Sequence, residues 1–128
     1  MLRSRTLGFL VPLVALMARS TGAEAQSAPM TLAEQLFSEG RDLMRQGQYL
    51  RACEKLKASY ELDVRAYGTL LNLALCHEKT GKHATAWAEF RTVAAASAGV
   101  QEARAALARE HESKLRPVLS FLTIRIAD

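Results

Sequence analysis

The sequence predicts an all-α chain: two stacked helical hairpins that begin a superhelix, a helix that caps them, and a short strand at the C-terminal end. Three observations predict it. A pattern of small and large apolar residues recurs at a fixed spacing of 34. Alanine and leucine are abundant while aromatics make up only 6% of the chain, a balance that favours helix. Glycines stand just after polar-ended apolar stretches, where the left-handed conformation stops a helix. A length of 128 residues leaves room for one small domain, and 49% hydrophobic with 23% charged residues is a globular rather than a disordered balance.

Each element has its own justification. Thr31-Leu32-Ala33-Glu34 reads as a capping box, so the first helix opens there. Leu32, Leu36, Leu43 and Met44, with Gly40 among them, fall near one face of it at helical spacing. Gly47 closes it, and a second helix runs from about Leu50 to Leu62. At an offset of 34, Leu36 meets Leu70, Gly40 meets Ala74, Gly47 meets Gly81, Ala52 meets Ala86 and Leu56 meets Phe90. The second hairpin therefore repeats the first, with its second helix from about Ala84 to Ser97. Small residues at 40, 52, 74 and 86 let the two backbones of each hairpin approach. After Ala96 the spacing is read as ending. The segment 100–116 is read as the capping helix, with Val100, Ala103, Leu107 and Leu115 roughly in line, Pro117 as its stop, and Trp87, Phe90 and Val93 as its contacts. Residues 117–128 alternate in the manner of a strand, which has no partner here and reads as the start of a β domain.

This spacing of small residue, turn glycine, second small residue and large apolar residue resembles the tetratricopeptide repeat family, with repeats at about 33–64 and 67–96. Departures are visible: Val64 stands where the family usually has proline, and His77 where an aromatic is usual. The segments "EGRDLMRQGQYLRACEKLKAS", "GTLLNLALCHEKTGKHATAWAEFR" and "LSFLTIRI" also resemble exported bacterial members that often carry a downstream β domain of the PEGA type.

The N-terminus reads as a secretory signal over 1–25, followed by a short linker over 26–30. Arg3 and Arg5 supply its positive end, and Leu7 to Ala18 its apolar run, too short for a bilayer core about 30 Å thick. Ala23-Glu24-Ala25 offers the cleavage site, so the expectation is an exported chain, periplasmic or extracellular after cleavage following Ala25, with no stable membrane anchor afterwards. An uncleaved anchor is the alternative. Removing 1–25 leaves 14 basic against 12 acidic residues of the original 17 and 13, so little positive charge remains to draw nucleic acid, and none is expected as a partner.

The stretch "CHEKTGKHATAWAEF" gathers a cysteine, two histidines, a glutamate and the only tryptophan. Most of it is the second copy of the hairpin, so the architectural reading takes precedence. Cys76 and His77 point about 100° apart on a helix and cannot share one ion comfortably, and no H-E-x-x-H occurs. Gly81-Lys82 lacks the other residues of a phosphate loop. No serine sits in a nucleophile elbow. The expectation is therefore no catalytic, metal or cofactor site. Cys53 and Cys76 fall on helices that should be neighbours; a disulfide and two buried thiols both remain open.

What remains is binding. The family resemblance implies that the first helix of each hairpin lines a concave face, here Glu34, Phe37, Arg41, Arg45, Leu71, Asn72, Leu75, Glu78 and Lys79. Asn72 matches a position that helps hold a C-terminal carboxylate in related repeats, but Phe37 and Arg41 replace its usual companions, so no carboxylate clamp follows. The expected function is a non-enzymatic scaffold that binds a protein or peptide through this face. The alternative is a structural spacer presenting a downstream β domain at the cell envelope.

Overall fold

The computed structural model describes residues 30–120, which hold five α-helices and no strand. These are α1 (Leu32–Arg45), α2 (Tyr49–Leu62), α3 (Tyr67–Lys79), α4 (His83–Ser97) and α5 (Glu102–Leu115), followed by a 3-10 turn at Arg116–Val118. The expected signal segment 1–25 and residues 121–128 of the expected strand lie outside the described residues. Of that strand's described part, residues 117–118 belong to the 3-10 turn, which has Pro117 in its first two positions, and 119–120 follow it without regular structure.

Local chemistry sets the first boundary. The Thr31 hydroxyl accepts the Glu34 N–H at 3.2 Å while the Glu34 carboxylate accepts the Thr31 N–H at 2.7 Å, a closed capping box. The two hairpin turns are the same structure twice. In the first, Gly47 N–H donates to the Met44 carbonyl at 3.1 Å and Gln48 N–H to that of Leu43 at 2.9 Å. In the second, Gly81 N–H donates to Glu78 at 3.2 Å and Lys82 N–H to His77 at 2.9 Å. Gly47 and Gly81 have φ of 73° and 77°, the left-handed region this pair of bonds demands.

Packing follows from the small residues. A methyl group on Gly40 would stand 2.7 Å from Leu56 Cγ, and Ala52, Ala74 and Ala86 are wholly buried. Ser59 ties α2 to α1 by donating to the Ala33 carbonyl at 2.8 Å. Each helix packs on the next in sequence, and α3 also touches α1 and α5, so α1, α3 and α5 form one layer of a helical repeat with α2 and α4 behind them. Leu56, Phe90 and Val93 are the largest wholly buried apolar side chains of the shared core. Cys53 on α2 and Cys76 on α3 are joined by a disulfide with their Cα atoms 5.6 Å apart, so the two hairpins are linked covalently.

The third segment differs from its sequence reading in two ways. Helix α5 opens at Glu102, because Gly99 (φ 75°) ends α4 and the Ser97 carbonyl takes the N–H groups of both Val100 and Gln101. Val100 is therefore left 80% exposed, Leu107 and Ala103 face solvent, and the buried stripe is Ala105, Ala108 and Leu115. In addition, the 34-residue spacing does not end at Ala96. Gly40, Ala74 and Ala108 are all buried, and each lies 34 residues after the last. Helix α5 thus occupies the register of a third first-helix. Of the contacts expected for it, Phe90 stacks on His111 of α5 with ring centroids 5.0 Å apart. Leu32 is also 60% exposed rather than on the buried face, since it opens α1 one turn short of the core.

Candidate functional site

The candidate residues of α1 are brought together. Glu34, Phe37, Arg41 and Arg45 recur every three or four residues and so share a stripe. With Met30, Ser38 and Asp42 they line a cleft of about 390 Å³. The Arg41 guanidinium lies 5.7 Å from the Phe37 ring centroid, a cation over an aromatic face that stiffens both side chains. Two members are already engaged. Glu34 closes the capping box, and the Thr31 N–H and then the Thr31 hydroxyl hold its carboxyl below the usual carboxylate range. Arg45 pairs with Asp42 one turn back.

The α3 residues continue this face without entering that cleft. Leu71 and Leu75 are half-buried against the core and stand at the positions of Phe37 and Arg41 in the second copy. Lys79 is exposed. Asn72 turns inward on its own helix, its carboxamide donating to the Gly68 carbonyl at 2.8 Å. Glu78 is held between helices: its carboxylate lies 2.7 Å from Nδ1 of His111 on α5. At the other end of α3, Gly68 leaves room for the Arg104 guanidinium, which lies 3.3 Å from where a Cβ would stand. Among the described residues, Arg41, Lys79 and Arg104 form no ion pair.

The chemistry-rich stretch 76–90 is built into the helix contacts. Cys76 is wholly buried in the disulfide. His77 Nδ1 lies 2.8 Å from a Glu89 carboxylate oxygen, tying α3 to α4, with both side chains under a fifth exposed. Burial pushes the Glu89 carboxyl above its ordinary range, against the opposing pull of the His77 hydrogen bond. Arg91 covers the Trp87 ring at 4.7 Å. No three His, Cys, Asp or Glu side chains among the described residues converge as a metal ion would require. No described helix is long and apolar enough to cross a membrane.

Sequence reasoning missed Arg104 and His111 as neighbours of the face, and Glu89 as the partner of His77. His111 had a usable signal: it follows His77 by 34 residues, so the repeat spacing carried into α5 would have aligned them. Glu89 and Arg104 had none, since their partners come from other helices. The sequence matches no protein-family model and no curated protein.

Proposed function

We propose that this chain is an exported, tetratricopeptide-like scaffold that performs no chemistry of its own and binds a peptide segment of a partner protein along the face shared by α1 and α3. The observation that carries the reading is the repetition of Phe37 and Arg41 by Leu71 and Leu75 on equivalent turns of touching helices. Half-buried apolar groups at that pitch accept apolar side chains of an extended or helical segment. Among the described residues the cations Arg41, Lys79 and Arg104 have no carboxylate partner, so the segment that fits best carries acidic residues beside its apolar ones.

The test is selection of peptides from a displayed random library by the full chain. Enriched sequences should combine apolar and acidic residues, and binding should fall at least about fivefold on Phe37→Ala or Arg41→Glu, as loss of an interface anchor worth over about 1 kcal/mol implies. A chain that enriches nothing is better read as a spacer, and enriched peptides indifferent to both substitutions would move the site elsewhere.

A further inference from the structure

A second cleft, of about 500 Å³, opens where α2, α3 and the start of α4 meet, and none of the α1–α3 face residues lines it. Its size is that of a small-molecule site. Leu73, 3% exposed, and the His77–Glu89 pair stand at its inner end, with Tyr60 and Val64 on the α2 side and Lys82 and Thr85 on the α4 side. Burial raises the Glu89 carboxyl at the inner end above its ordinary range, against the opposing pull of His77.

The polar groups of this cleft are unequally committed. One Glu89 oxygen is held by His77 at 2.8 Å, while Glu61 faces Lys57 at 3.7 Å in an exposed pair. Among the described residues the Lys82 ammonium makes no hydrogen bond or ion pair, its charge acting on Glu89 from further off, and Lys57 is bound only through its exposed pair with Glu61, which is cheap to exchange. We propose that this cleft binds a small organic monocarboxylate with an apolar body, its carboxylate toward Lys82 and Lys57 and its apolar part toward Leu73, Val64 and the Tyr60 ring. A carboxylate placed inward would meet Glu89, and this fixes the orientation.

The probe is 3-phenylpropionate, titrated into the isotope-labelled full chain and followed by amide NMR shifts. Saturable shifts are expected at Tyr60, Leu73, His77 and Thr85, with none at Phe37 or Arg41. Lys82→Gln should weaken binding roughly tenfold or more, the cost of one charge-assisted hydrogen bond, and Tyr60→Phe less. Arg41→Glu should leave it unchanged, so this site and the α1–α3 face fail separately. Equal binding of the neutral 3-phenylpropanamide or of 3-phenylpropylamine would overturn the proposal, as would shifts confined to other residues or no saturable shift at all.

Discussion

Gly40 shows how one atom sets the spacing of a hairpin. An added methyl would stand 2.7 and 2.9 Å from Leu56 Cγ and Cδ2, and Leu56 is wholly buried, so it has no free direction in which to yield. Two effects of Gly40→Ala oppose each other. Alanine favours helix over glycine by about 1 kcal/mol, while overpacking a core costs roughly 1–3 kcal/mol. Sterics should win, and the variant should lose about 1 kcal/mol in urea denaturation, with Gly40→Val losing more. An unchanged or raised midpoint would mean that α1 and α2 can separate freely. The same position in the second hairpin is Ala74, wholly buried, so a methyl group is accommodated there. Small-over-small matching made these positions legible in the sequence. The commitments of Glu34, Asn72 and Glu78 were not, because each depends on where another backbone or helix places its partner.

At the scale of elements, the first helix begins where its capping chemistry says it should, and that start should respond to acid. The Glu34 carboxyl is lowered in the folded chain, chiefly by the Thr31 N–H. A carboxylate with a depressed folded value contributes stability that is complete above the unfolded value and disappears as pH falls through the folded one. Stability measured from pH 7 down to pH 3 should therefore fall less steeply in Glu34→Gln than in the parent. Identical slopes would show that the box adds nothing to folding. Glu89 acts in the opposite sense, since its raised value makes its contribution fade as pH rises through that value. Helices α1 to α4 were readable because turn glycines and a capping box mark their ends locally. Helix α5 was found within two residues of its start, which Gly99 and the doubly used Ser97 carbonyl set, but its buried face was less legible because Arg104 and His111 occupy places where the first copy holds Leu36 and Leu43.

The molecule as a whole is a short stack in which each helix rests mainly on its sequence neighbours, so its cooperativity depends on the joints between hairpins. The joint between α2 and α3 carries the Cys53–Cys76 disulfide, which spans 23 residues of chain. Closing a loop of that length in the unfolded chain stabilises the fold by roughly 3 kcal/mol on the chain-entropy account, a large share of the 5–15 kcal/mol typical of a domain. The doubly substituted Cys53→Ala, Cys76→Ala chain should therefore lose about that much. It should also lose unity. Trp87 is the only tryptophan and belongs to α4, so its fluorescence reports the second hairpin while circular dichroism reports every helix. With the disulfide intact the two signals should follow one denaturation curve; without it the hairpins are joined by packing alone, and the curves should separate. Coincident curves in both chains would show that the buried contacts of Leu56, Leu73 and Phe90 couple the hairpins without covalent help.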